Sequence, residues 1–186
     1  MAIEFNLPTY LTLLRIALIP LLAIVFYLPW EYANIASTFI FFIAGFTDWL
    51  DGYLARKMSL ETAFGAFLDP VADKLMVAFV LVLIVHVQNS TPLAIASAII
   101  IGREITVASL REWMAEIGQK AKVKVSPLGK WKTTAQMLAI GFLLYREDLL
   151  GLPINLIGCW LLYIAALLTF WSMVNYLSAA FSSTNE

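Results

Sequence analysis

The sequence predicts an all-α integral membrane protein of six transmembrane helices, and three observations point to it. The chain is 61% hydrophobic and only 13% charged, with a mean hydropathy of +0.83, values that suit lipid as the main solvent. Its 186 residues divide into six apolar runs, each near the roughly 20 residues a helix needs to cross a bilayer. Lipid offers backbone groups no partners, so runs of that length close their hydrogen bonds internally as helices. Lys and Arg gather in alternate loops, which gives the bundle an orientation.

Each element follows in order. Asn6 before Pro8 marks a helix start, a capping side chain with proline in the first turn, and span one runs over residues 7–28. Pro20 is expected to kink it, and Pro29-Trp30-Glu31 ends it. Before it, Ile3 and Phe5 beside Glu4 and Asn6 read as an interfacial approach. The amino-terminal end lacks a basic leader region and its apolar run carries Arg15, so it is read as a retained span. Span two covers 33–57, with Asp48, Asp51 and Arg56 toward its end; the others are 63–87, 93–114, 129–145 and 153–181. Ala94, Ala98 and Gly102 place small residues every fourth position in span four, allowing close helix approach within the chain or at a dimer seam. Trp30, Tyr32, Trp113, Trp131 and Tyr145 fall near span ends, as interfacial anchors do.

Arg56 and Lys57 follow span two, and Lys120, Lys122, Lys124, Lys130 and Lys132 surround the connection from span four to span five. The alternate loops carry no such charge, or only Arg146. The positive-inside rule then places the basic loops and both termini in the cytoplasm. Neither an internal repeat nor a composition break divides the chain, so residues 1–186 read as a single membrane domain. The formal net charge is −1 and Cys159 is the single cysteine, which excludes an intrachain disulfide. No nucleic-acid partner is expected.

Within this apolar chain, Asp48, Asp51, Asp69 and Asp73 form the pattern D-x2-D-G-x2-A-R-x8-G-x3-D-x3-D, with Gly52, Ala55, Arg56 and Gly65 at the other specified positions. Helical spacings of three and four place each aspartate pair on one face, Cβ atoms about 5–6 Å apart. An uncompensated aspartate at a membrane helix centre costs roughly 2.5–3.5 kcal/mol, so four together call for cations or a watery mouth. Two facing pairs make a carboxylate cage able to hold two hard divalent ions such as Mg²⁺, which share coordination between carboxylates and phosphate. Such a site suits phosphoryl or phosphatidyl transfer. Gly52 and Gly65, each beside an aspartate, leave room for a nucleotide, and Arg56 is placed to meet a phosphate or a carboxylate. A structural salt-bridge network with Arg56 and Lys74, or an ion path in a cation transporter, is the competing reading; a transporter would spread polar residues along a route, whereas these occupy one rim.

The complete pattern resembles the signature of the CDP-alcohol phosphotransferases. The resemblance implies a six-helix, commonly dimeric membrane enzyme that moves a phosphate-containing group from a CDP-linked donor to an alcohol and releases CMP. It makes Asp48, Asp51 and Asp69 metal ligands for Mg²⁺ or Mn²⁺, and Asp73 both a ligand and the base for the acceptor hydroxyl. Asp48, Asp51, Gly52, Ala55, Arg56 and Gly65 would bind the CDP donor. The opening Asn6-Leu-Pro-Thr-Tyr-Leu-Thr12-Leu-Leu-Arg15, the run Gly102-Arg103-Glu104 with Arg111, and Gly129-Lys130-Trp131-Lys132-Thr133-Thr134-Ala-Gln136 are similar to bacterial members acting on sn-glycerol 3-phosphate. One departure is Thr9-Tyr10, where those members carry Asn-Leu or similar. The implied reaction joins CDP-diacylglycerol to sn-glycerol 3-phosphate, giving phosphatidylglycerol phosphate and CMP, on the cytoplasmic side of a bacterial inner membrane. Inositol phosphate and phosphatidylglycerol are the alternative acceptors. A dianionic acceptor near an acidic cage needs cations, and Arg111, Lys130 and Lys132 are the candidates for its phosphate; Lys120, Lys122 and Lys124 suit either that role or anionic lipid. His86 lies about 20 Å along a helix from Asp73, at the opposite rim. The run from Gly129 to Thr133 lacks the glycine and strand context of a phosphate loop.

Overall fold

The computed structural model describes residues 6–58, 62–116 and 127–184, with side chains described except at 55, 56, 58, 63, 127–132 and 179–184. Six helices account for nearly all of it: α1 Leu7–Tyr27, α2 Ala33–Met58, α3 Ala63–Gln88, α4 Thr91–Glu116, α5 Pro127–Tyr145 and α6 Ile154–Thr184. Each matches an expected span to within a few residues. Five of them (α1, α2, α3, α4 and α6) are long and apolar enough to cross a membrane, while the described apolar stretch of α5, Thr133–Tyr145, is shorter.

Local chemistry sets the helix ends. The Asn6 side chain accepts from the Thr9 backbone N–H at 3.1 Å and from its hydroxyl at 2.7 Å, with Pro8 in the first turn, which satisfies orphan donors at the helix start. Thr62 caps α3 by accepting from the Gly65 N–H at 3.0 Å. Asn89 ends α3 in the left-handed conformation that asparagine tolerates. Pro20 lies inside α1 without ending it.

Helix α1 packs along α2 and α3, α5 along α6 and α2, and α4 along α6 and α3. Their shared core contains Leu22, Phe41, Leu81, Ile100, Leu143 and Leu162, one from each helix in turn. Gly158 lets α6 approach α5, because a Cβ there would stand 3.0 Å from Leu143 Cγ and 3.2 Å from the Ala139 carbonyl. The small-residue row of α4 faces outward: Ala98 and Gly102 are exposed, and a Cβ at Gly102 would meet nothing. Close packing within the chain is therefore not its role at Gly102.

The up-and-down course brings the first halves of α1, α3 and α5 and the second halves of α2, α4 and α6 to one end of the bundle, where every polar residue of the site lies. The other end is closed by Arg146, whose guanidinium sits 4.0 Å from the Phe26 ring centre, and by a 3.2 Å hydrogen bond from Asn34 to Glu147. His86 lies edge-on to Tyr27 at that end, as its distance from Asp73 predicts. Exposed Trp30 and Tyr32 pack edge to face there, in keeping with an interfacial position.

Candidate active site

Pro8, Thr12 and Arg15 lie on one face of α1 by helical spacing, and that face turns toward α2 and α3. Arg15 is 1% exposed. Its Nη1 donates to Asp48 Oδ1 at 2.7 Å and to Asp69 Oδ1 at 3.1 Å, while Nη2 donates to Asp51 Oδ2 at 2.6 Å. The Thr12 hydroxyl reaches the Pro8 carbonyl at 3.2 Å and Asp51 Oδ2 at 3.4 Å. Burying one guanidinium costs several kcal/mol, and three carboxylates meeting its planar fork offset that cost.

Asp48, Asp51 and Asp69 each offer a carboxylate oxygen within 4.8 Å of the others. Asp51 is the floor of the group at 2% exposure, and its Oδ1 is buried without a hydrogen-bond partner among the described residues. Asp48 and Asp69 form the open side, their side chains 40% exposed. A three-carboxylate group with an orphaned buried oxygen has the donor chemistry of a hard divalent cation. Asp73, expected in the same cage, is not one of the three whose oxygens lie within 4.8 Å, but it is near enough to interact electrostatically with Asp48, Arg15 and Asp69. One turn further along α3, it also lines a cavity of about 180 Å³ together with Lys74, Arg103, Glu104, Thr133, Gln136 and Ser172. Arg103 donates to its neighbour Glu104 at 2.8 Å. An apolar cavity of about 230 Å³ between α3 and α4 adjoins the polar one, sharing Lys74, Val77 and Glu104.

Residues 5–171 match the family described as CDP-alcohol phosphatidyltransferase. The chain belongs to this family. A Haemophilus influenzae protein called CDP-diacylglycerol--glycerol-3-phosphate 3-phosphatidyltransferase is 56% identical over 95% of this chain and 94% of its own length. Proteins of the same name from Pectobacterium atrosepticum and Salmonella choleraesuis are 52% and 51% identical, over 95% of this chain and 96% of their own. As a CDP-alcohol phosphatidyltransferase the chain is an enzyme, and its acidic end is the place to look for the chemistry.

Other expected site residues of this phosphatidyltransferase are distributed as follows. Gly52 follows Asp51 on α2. Gly65 lies in the first turn of α3 against α1, where a Cβ would stand 3.0 Å from Thr62 Oγ1 and 3.5 Å from Thr9 Oγ1, so its lack of a side chain also serves packing. Arg111 is exposed, donates from Nε to the Tyr176 hydroxyl at 3.4 Å and does not line the polar cavity. The side chains of Ala55, Arg56, Lys130 and Lys132, and all of Lys120, Lys122 and Lys124, lie outside the described residues.

The sequence reading passed over Arg15 and Thr12 as parts of a span opening, and Arg103 and Gln136 as parts of flanking runs. One signal was available for Arg15. An arginine inside an apolar helix carries the same insertion penalty as the aspartates, so it had to find anions.

Proposed function

We propose that this protein transfers the phosphatidyl group of CDP-diacylglycerol to sn-glycerol 3-phosphate, releasing phosphatidylglycerol phosphate and CMP. The observation that carries the chemistry is the adjacency, at one end of the bundle, of a three-carboxylate group and an Asp73-lined polar cavity. The acceptor rests on the names of relatives that match along 95% of the chain.

Asp48, Asp51 and Asp69, with Asp73 as a further ligand, would hold Mg²⁺ or Mn²⁺, two ions when fully loaded, and the orphaned Asp51 Oδ1 supports that assignment. Bound metal supplies Lewis-acid charge to the donor's diphosphate. Gly52, Ala55, Arg56 and Gly65 flank the carboxylates along α2 and α3 and are assigned to the CDP donor. The acceptor's glycerol portion enters the polar cavity, where Asp73 takes the proton from its 1-hydroxyl. That oxygen bonds to the diacylglycerol-linked phosphorus as the bond from this phosphorus to the bridging oxygen breaks, and CMP leaves with the bridging oxygen. Arg111, Lys130 and Lys132 are assigned to the acceptor's phosphate, with Arg103 nearer the reacting hydroxyl. The adjoining apolar cavity suits a lipid-linked phosphorus, which must reach polar chemistry while its tails stay in the bilayer.

Helix α5 is assigned as the sixth span, since it packs along α6 and α2, and the lysine-bearing connections put the acidic end in the cytoplasm. The membrane is then the bacterial inner membrane. The outward small-residue face of α4 supports a homodimer. An acceptor screen tests the whole proposal. Purified protein with CDP-diacylglycerol and Mg²⁺ or Mn²⁺ should release CMP with sn-glycerol 3-phosphate and far more slowly with inositol phosphate, phosphatidylglycerol or glycerol. Equal rates with any of these would overturn the acceptor assignment.

A further inference from the structure

We infer that Arg15 is a competitor that divalent metal must displace from the oxygens of Asp48 and Asp69. The inference rests on the proposed reading of these aspartates as metal ligands. Its grounds are the way one buried guanidinium is divided among three acids from two other helices.

Arg15 Nη1 lies between Asp48 Oδ1 and Asp69 Oδ1, at 2.7 and 3.1 Å. It therefore sits where oxygens of the two more exposed carboxylates converge. A magnesium ion needs such oxygens at about 2.0–2.1 Å, and an N–H hydrogen bond to the same lone pairs competes with that. On the other arm, Nη2 holds Asp51 Oδ2 at 2.6 Å on the buried side. The two arms are thus unequal: one is in the path of an ion arriving past Asp48 and Asp69, and the other is anchored to the floor with Thr12 beside it.

The charges make the exchange workable. One guanidinium against three carboxylates leaves the group negative, so it still attracts a dication while Arg15 is in place. Without metal, Arg15 keeps the three carboxylates from repelling one another at short range. With metal present, its grip on Asp48 and Asp69 is the interaction that must be given up. Arg15 Nε, buried and without a hydrogen-bond partner among the described residues, fits a side chain held in place by its carboxylates at one edge. The alternative is a purely positioning role, in which Arg15 holds the aspartates in the geometry metal requires; the two make opposite predictions for metal affinity.

The test uses purified wild type, Arg15→Gln and Arg15→Lys, with Mn²⁺ affinity measured by electron paramagnetic resonance and thermal unfolding followed in EDTA and in saturating Mn²⁺. Removing the competing charge should tighten Mn²⁺ binding by about tenfold or more. It should also lower the unfolding temperature in EDTA and enlarge the rise that Mn²⁺ produces. Lysine keeps the charge but not the three-way fork, so Arg15→Lys should bind Mn²⁺ with intermediate affinity; it provides the measurement if the glutamine variant does not fold. Affinity equal to or weaker than wild type in the folded variant would overturn the competitor role and leave a positioning one. Absence of Mn²⁺ binding by wild type would instead remove the metal assignment, and this inference with it.

Discussion

Asp73→Asn and Asp51→Asn are the same chemical change at two aspartates of the signature, yet their surroundings predict different failures. Asp73 has no ion pair among the described residues and lines the polar cavity. An isosteric amide there should change stability by no more than about 1 kcal/mol. It cannot take up the acceptor's proton, so turnover should fall by roughly 10²–10⁴-fold, the usual contribution of a general base. That is about 3–5 kcal/mol of barrier. Asp51 is 2% exposed and pairs with Arg15 at 2.6 Å. Breaking a buried pair costs about 3–5 kcal/mol, and the lower end applies here because Arg15 keeps Asp48 and Asp69. Thermal unfolding in detergent and CMP release at saturating metal and both substrates measure the two effects separately. The expected result is a wild-type unfolding temperature with greatly reduced turnover for Asp73→Asn, and a lowered unfolding temperature with weakened metal dependence for Asp51→Asn. Near-normal turnover by Asp73→Asn would remove Asp73 as the base. Equal destabilisation of the two variants would contradict the difference in ion pairing between Asp51 and Asp73.

Three further outcomes are expected. Lys132→Ala should raise the glycerol 3-phosphate concentration needed for half-maximal rate much more than that of CDP-diacylglycerol; an unchanged acceptor dependence would refute its assignment. With Cys159 replaced, a membrane-impermeant thiol reagent should label Asn89→Cys in intact cells and Ser59→Cys only after the inner face is exposed, and identical sidedness would overturn the topology. Gly158→Val should destabilise the protein by about 1–3 kcal/mol through overpacking against Leu143 and the Ala139 carbonyl, measured as a lower unfolding temperature, while the surviving folded fraction keeps wild-type substrate requirements.

Helix positions were legible because lipid restricts the backbone so severely: length and apolarity together leave a helix as the answer, and Asn6 marks a start that the capping geometry bears out, whereas the caps of α3 at Thr62 and Asn89 come from the structure. Three of the four aspartates also gather as their spacing suggests. What spacing does not carry is the neighbour from another helix. Asp69 and Asp73 share a face of α3, and one turn of rise gives the first an ion pair with Arg15 of α1 while the second, still near Asp48 and Arg15, also lines the cavity formed with α4, α5 and α6. Likewise Arg56 and Lys74, close in sequence to the acids, are the partners that spacing suggests; the Arg56 side chain lies outside the described residues, and among the described residues the partner is Arg15, brought in by the packing of α1 against both α2 and α3. Sequence separation of 54 residues between Arg15 and Asp69 hides that pair from any local pattern.

Charge at the acidic end ties these residues together. Among the described side chains, Asp48, Asp51, Asp69, Asp73 and Glu104 face Arg15, Lys74 and Arg103 in the carboxylate group and its adjoining cavity, so with all of these ionised two negative charges remain. In a membrane protein such an excess requires compensation, and a single dication cancels it. A second dication would leave the site positive by two, which is the charge a diphosphate-linked donor with one negative charge on each phosphate neutralises. The donor can thus complete the charge balance of a doubly loaded site. A dianionic acceptor arriving next finds no cation left over among these described side chains, and Arg56 is assigned to the donor. Its two charges need partners from outside that set, which is the physical case for Lys130 and Lys132 at the start of α5 and for Arg111 on α4. A neutral acceptor would need no such pair of lysines, so the acceptor's charge is the property on which the Lys132→Ala measurement bears.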